Sequence, residues 1–317
     1  MAQGLRAPWG LAFLPDGAAL VSERDAGQIL RVTADGAVTP VGTVPGVAAG
    51  GEGGLLGVAV SPTFEKDRYV YAYLTAERDN RIVRMALRKG RLGGAQVLLE
   101  GIAKSAVHNG GRIAFGPDGM LYAGTGDAGE SDRAQDPDSP NGKILRLTPD
   151  GRPAPGNPTE GSPVWSLGHR NVQGLGWDAG GRLWAAEFGQ NTFDELNLIE
   201  PGRNYGWPEV EGEADDDGDT RFTDPQVVWD PSEASPSGIA VAGDGVYVAA
   251  LRGGRLWQVP LDGTRTGTPR DFFAGRYGRL RTVAVAPDGA LWLVTSNTDG
   301  RGEVRKGDDR ILRVALQ

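Results

Sequence analysis

Six times along the chain the same three-part phrase returns, and a period of this kind restricts the fold before any single residue is weighed. Each unit opens on an apolar–small–apolar triplet: Leu11-Ala12-Phe13, Val58-Ala59-Val60, Ile113-Ala114-Phe115, Leu175-Gly176-Trp177, Ile239-Ala240-Val241 and Val283-Ala284-Val285. A tight turn follows, written Pro-Asp-Gly from Pro15, Pro117 and Pro287 and Gly-Asp-Gly from Gly243. A second apolar run comes next, such as Met120-Leu121-Tyr122 or Ala290-Leu291-Trp292. A third closes the unit, from Ile29-Leu30-Arg31-Val32 in the first to Ile311-Leu312-Arg313-Val314 in the last. Six units in 317 residues leave about 53 each, room for four short strands and longer loops on one side. The pattern predicts an all-β chain, a six-bladed β-propeller of four-stranded antiparallel blades, forming one domain over residues 1–317. Residues 1–10 are expected to supply the outer strand missing after Gln317.

Composition agrees and removes several function classes. The 50 glycines and 21 prolines suit a chain of turns, and no stretch sustains a helical period. The net charge of −8, with no basic stripe, argues against nucleic acid as a partner. No apolar run is long enough for a membrane span. The absence of cysteine excludes disulfides and thiolate metal sites. Met1-Ala2-Gln3-Gly4 lacks the charged and apolar regions of a signal peptide, which leaves a cytosolic protein or one whose leader has been removed.

In antiparallel blades, the loop entering the first strand and the loop after the second emerge on one face, and the Pro-Asp-Gly turns lie on the other. Before the triplets stand Glu52, His108-Asn109, His169-Arg170-Asn171, Arg279 and Arg281. After the second runs stand Asp127, Glu187 with Gly189-Gln190, and Arg252. Solvated polar loops would explain any one of these residues. The whole set at one channel mouth fits a polar pocket for a small anionic ligand. His108 leads into the third triplet and Asp127 ends the neighbouring strand. The carboxylate can therefore reach one imidazole nitrogen and leave the other as a base. His169 is expected to shape its loop.

Any metal here would be held by oxygens, which points to calcium. One candidate segment runs from Glu187 to Glu195. The other runs from Glu213 through Asp215, Asp216, Asp217 and Asp219 to Asp224, where a solvated acidic loop is the competing reading.

Read as motifs, these residues resemble the soluble calcium- and pyrroloquinoline-quinone-dependent aldose sugar (glucose) dehydrogenase family. The strings are Gly53-Gly54-Leu55-Leu56, His108-Asn109-Gly110-Gly111-Arg112, Asn141-Gly142-Lys143-Ile144-Leu145-Arg146 and Gly168-His169-Arg170-Asn171-Val172-Gln173-Gly174. They continue with Asp194-Glu195-Leu196-Asn197, Asn204-Tyr205-Gly206-Trp207-Pro208 and Arg279-Leu280-Arg281. The resemblance implies a six-bladed propeller that oxidises aldoses at C1 to lactones and passes electrons to a small-molecule or protein acceptor. It also implies a periplasmic or secreted location. His108 would be the general base and Asp127 its orienting acid. Arg170 and Asn171 would contact quinone and sugar. Arg252, Arg279 and Arg281 would meet the cofactor's three carboxylates. The carbonyls of Gly189 and Gln190 would hold calcium, with Glu195 and Tyr205 at positions linked to a further calcium.

Three positions depart from the family. Glu52 replaces a usual glutamine and adds negative charge near the cofactor carboxylates. Gln190 replaces a frequent proline, and Asp216 falls near a place where some members present a tyrosine. Two other readings compete: a calcium-dependent propeller lactonase, which needs carboxylates and amides around a metal on the channel axis, and a non-catalytic propeller that binds a partner protein.

Overall fold

The computed structural model describes residues 1–214 and 221–316. Asp215 to Asp219 lie outside the described residues, and so do the calcium-loop reading of that segment and the position of Asp216.

The strands form six antiparallel sheets, each built from consecutive stretches of chain. Their innermost strands are Pro8–Phe13, Leu55–Val60, Ile113–Phe115, Val172–Trp177, Pro236–Ala242 and Leu280–Val285. Each packs against the next around a ring, and the sixth packs against the first. This is the expected six-bladed propeller.

Strand periodicity explains why these segments pair. In Arg255–Asp262, Trp257 and Val259 are buried while Gln258 and Pro260, which follow each of them, are only half-buried. Buried faces of adjacent blades meet in six apolar clusters, one at each blade-to-blade junction. Around the channel the inner strands come so close that side chains are excluded. A Cβ on Gly57 would strike the Gly111 carbonyl, and one on Gly174 would strike that of Ser237.

Three blades vary the plan. In the second, Asn80–Arg88 carries Arg91–Leu92 and Gln96–Ile102 on the same outer edge, and in the fifth Arg255–Asp262 carries Arg265–Thr266 and Arg270–Phe272. The sixth has three strands of its own, ending in Ile311–Val314. The chain start closes it. Leu5 and Asp309 exchange backbone hydrogen bonds of 3.0 and 2.9 Å, and the Ile311 N–H donates to the Ala2 carbonyl at 3.0 Å. Ala2 and Leu5 are buried at the junction of first and last blades. No helix among the described residues is long and apolar enough to cross a membrane.

Candidate active site

His108 sits on the loop entering the third blade, in a left-handed backbone conformation (φ 53°). The loop is pinned behind it. The Asn109 side chain is buried and bonds to the backbone of Ser105 and to the Asn80 amide, and the Gly110 N–H donates to Asn171 Oδ1 at 2.9 Å. A side chain at Gly126, just past the facing strand Leu121–Gly124, would collide with the His108 carbonyl. The ring is thereby brought against Asp127, with Nδ1 2.7 Å from Oδ1.

Asp127 is almost wholly buried and also accepts from the Gly129 N–H at 2.7 Å and Trp207 Nε1 at 2.9 Å. Burial works against its charge, but the bonds from His108, Gly129 and Trp207 outweigh it and hold the carboxyl below its usual value. A carboxylate on Nδ1 leaves Nε2 as the basic nitrogen. No described residue bonds to Nε2.

Beside this pair the channel mouth opens into a cavity of about 220 Å³, walled by Arg24, Arg252, Arg279, Arg281 and Arg301 with Glu52 and Asp299, over a floor of Trp9 and Gln173. Five guanidiniums face two carboxylates, and with Arg24 turned to Asp25 at 2.6 Å a positive surplus still remains. Asp299 Oδ2 gathers Arg279 Nη2 at 3.1 Å and Arg281 Nη2 at 3.4 Å, while Arg281 Nη1 donates to Gln173 Oε1 at 2.8 Å. Arg281 Nε is buried with no partner. Burial pushes Arg281 down to about 10; Asp299 opposes that shift, while Arg279 and Arg24 add to it. Arg252 is exposed and makes no hydrogen bond or ion pair with a described residue.

Arg112 lies beneath the floor, 4.3 Å from the Trp9 ring, and donates to the Gln173 carbonyl at 2.7 Å and Thr282 Oγ1 at 3.0 Å. Burial, then repulsion from Arg281, lowers it to about 9. The cavity and the group beneath Trp9 thus carry cations where a metal-centred hydrolase would need carboxylates.

Glu52 joins cavity and histidine. Its Oε2 accepts the His108 N–H at 3.0 Å, and its Oε1 lies 2.9 Å from Arg301 Nη1. On the other side Arg170 holds its guanidinium 5.4 Å from the Trp207 ring, with Nε buried and unpartnered. Burial disfavours its charge, while Asp127, Glu211, Glu52 and Glu187 favour it. Asn171 is fully buried: Oδ1 serves Gly110, and Nδ2 is a donor with no partner.

His169 is structural, as expected. It is fully buried between Ser166 Oγ (2.8 Å) and Glu187 Oε1 (2.7 Å), and its ring stacks on Tyr205. Glu187 Oε2 then accepts the Arg170 N–H at 2.7 Å, so this buried chain fixes the backbone beneath Arg170.

The segment after Glu187 wraps its N–H groups around acids. Gly189 donates to Asp194 Oδ1 at 2.9 Å; Gln190, Asn191 and Thr192 donate to Glu211 Oε1. No described residue donates to the carbonyls of Gly189 or Gln190. Glu195 is buried near Glu187, and desolvation, then that neighbour's charge, raises it to about 8. Tyr205 does not join Glu195: its hydroxyl donates to the Leu198 carbonyl at 2.7 Å and accepts from the Glu200 N–H at 2.8 Å. Among the described residues, no three His, Cys, Asp or Glu side chains are grouped to hold a metal.

Arg24, Trp9, Trp207, Asp299 and Arg301 are site residues that escaped the sequence reading. Trp207 stood inside a quoted motif, but no periodicity shows that its indole reaches Asp127. Asp299 and Arg301 lie after the second run of the sixth blade, the same place in the repeat as Asp127 and Arg252, and that position was the available signal.

The glucose/sorbosone dehydrogenase family matches residues 5–312. The chain is 28% identical to aldose sugar dehydrogenase YliI of Escherichia coli, covering 92% of this chain and 88% of that one. It is 36% identical to quinoprotein glucose dehydrogenase B of Acinetobacter calcoaceticus, over 68% of this chain and 52% of the other. Among solved structures, the PQQ-bound aldose sugar dehydrogenase of Streptomyces coelicolor aligns with a TM-score of 0.95 and 58% identity, over 98% of this chain and 95% of that one. The chain belongs to the glucose/sorbosone dehydrogenase family.

Proposed function

We propose that this protein oxidises the C1 hydroxyl of aldose sugars to lactones, with pyrroloquinoline quinone and calcium as cofactors and a small-molecule or protein acceptor for the electrons. The observation that carries the reading is the cationic cavity beside the His108–Asp127 pair. A tricarboxylate suits its positive surplus, and the unpartnered donors Arg281 Nε, Arg170 Nε and Asn171 Nδ2 are buried polar groups of the kind a ligand satisfies. Arg252, Arg279 and Arg281 would hold the carboxylates, with Glu52 at the edge, and Arg170 and Asn171 would face the ring system. The free carbonyls of Gly189 and Gln190 would take calcium, a hard cation that accepts carbonyl oxygens in loose geometry. A cation there would favour ionisation of the buried Glu195 carboxyl, and Tyr205 would serve by packing.

When bound, the quinone supplies the two-electron acceptor for the oxidation. The chain's own part is proton handling and positioning. His108 Nε2 removes the C1 hydroxyl proton, Asp127 holds the Nδ1–H tautomer and stabilises the imidazolium, and Arg170 presents fixed positive charge to developing negative charge. Residues 1–317 would act as one propeller domain, closed by the chain start on the last blade. The reading extends to a periplasmic or secreted location, which fractionation of the producing cell tests.

The direct experiment loads the metal-free protein with calcium and pyrroloquinoline quinone, adds glucose or other aldoses, and follows dye bleaching. Quinone-dependent bleaching is expected. Bound quinone with no turnover of any aldose would sink the proposal.

A further inference from the structure

The cavity that collects arginines also contains a carboxylate that opposes them. Glu52 lines the same wall as Arg281, so an anion entering there meets a repulsion comparable to the attraction of one arginine at similar distance. Glu52 also has a local part, because its Oε2 accepts the His108 N–H and helps to hold that loop.

Arg301 answers this charge. It reaches across from the sixth blade and places Nη1 2.9 Å from Glu52 Oε1. Its backbone N–H donates to Asp299 Oδ1 at 2.9 Å, while the other oxygen of Asp299 gathers Arg279 and Arg281. One buried carboxylate therefore organises the arginine pair and fixes the base of the Arg301 side chain. The Arg301 side chain is 60% exposed, so its ion pair adds little to folding, and its place on the cavity wall is what calls for explanation.

We propose that Arg301 is a further binding residue for the anionic cofactor, neutralising Glu52 and adding a guanidinium beside Arg252, Arg279 and Arg281. The inference rests on the quinone reading of the cavity. A guanidinium fork suits carboxylates, and placing it beside Glu52 lets the cavity keep an acid that serves His108 without losing its affinity for anions.

The test titrates metal-loaded apo protein with pyrroloquinoline quinone, read by quenching of tryptophan fluorescence and by equilibrium dialysis, for the parent, R301A, E52Q and the double variant. R301A should weaken binding about 10-fold and E52Q should tighten it several-fold. The double variant, which removes one charge of each sign, should return to within about 3-fold of the parent. Melting temperatures should hardly move, which separates binding from structure. With the parent binding normally, an R301A affinity equal to the parent's, or an E52Q affinity weaker than it, overturns the role of Arg301 and leaves the quinone reading standing. A parent that does not bind the quinone overturns both.

Discussion

Trp207 Nε1 donates to Asp127 Oδ2 at 2.9 Å, while Asp127 Oδ1 meets His108 Nδ1 at 2.7 Å. The face of the same indole carries the Arg170 guanidinium 5.4 Å from its centre. One buried side chain from the fourth blade thus touches both the acid behind the histidine and the cation opposite it.

Changing Trp207 to Phe keeps the ring and deletes the donor. The Trp207 bond is one of those that hold Asp127 below its ordinary pKa, so its loss should raise that pKa. The carboxylate is then protonated at higher pH. The acid-side loss of turnover should begin at higher pH, while turnover at neutral pH and KM change little, because the carboxyl starts below its ordinary value. A pH–rate profile identical to the parent's would show that the indole bond does not act on the pair.

The repeat made the fold legible because each blade writes its strands in the same order, and a triplet that always precedes a turn fixes which loops share a face. That alone brings His108 to Asp127 and Arg252 to Arg279 and Arg281. Contacts set by side-chain reach were not legible. Trp207 meets Asp127 from a segment 80 residues away, and Asp299 meets two arginines through rotamers that no spacing encodes. Residues 1–10 are the expected outer strand of the last blade; Ala2 and Leu5 do bond to its edge, but through isolated backbone contacts, and Pro8 onward belongs to the inner strand of the first blade. By contrast, Tyr205 sits in a motif linked to metal, yet its hydroxyl is spent on backbone groups, a choice visible only in three dimensions.

Replacing His108 with Gln should leave quinone affinity nearly intact and reduce turnover about 10²–10⁴-fold, the usual contribution of a positioned general base. Binding by fluorescence titration and rates at saturating cofactor separate the two effects. Near-parent turnover in folded H108Q would remove the histidine from the mechanism.

Calcium should be required. If it sits on the carbonyls of Gly189 and Gln190, exhaustive chelation should abolish activity, and calcium should restore it better than magnesium, which demands tighter octahedral geometry. Full activity with no metal detected would contradict the assignment.

Lys143 offers a stability test away from the chemistry. Its ammonium is buried and donates to the carbonyls of Arg133 (2.7 Å), Ala134 (3.0 Å) and Asn141 (2.8 Å), closing the loop that follows Asp127. Burial lowers its pKa from 10.5 to about 8. Between those values the unfolded chain binds the extra proton, so this group makes stability rise with pH through that window. K143M should flatten that slope and, by orphaning the carbonyls, lower stability at pH 7 by about 2–4 kcal/mol. Denaturant unfolding at pH 7 and pH 10 measures both, and an unchanged slope would mean that the lysine titrates alike in both states.

Arg281 is where cofactor binding and structure overlap, so its replacement must be read on two scales. R281A deletes charge-assisted bonds that a carboxylate would gain, each about 1.5–3 kcal/mol, and should weaken quinone affinity about 10–100-fold. It also leaves Gln173 Oε1 without its arginine and Asp299 with Arg279 as its remaining side-chain cation, so the melting temperature should fall as well. R281K should recover more of the stability than of the affinity, because lysine restores the charge without the planar fork. Arg279 supplies the control: with its side chain 16% exposed and Asp299 still paired to Arg281, R279A should lose affinity with a smaller loss of stability. If R281A binds the quinone as tightly as the parent does, the arginines are there only to balance Asp299, and the cofactor must bind elsewhere.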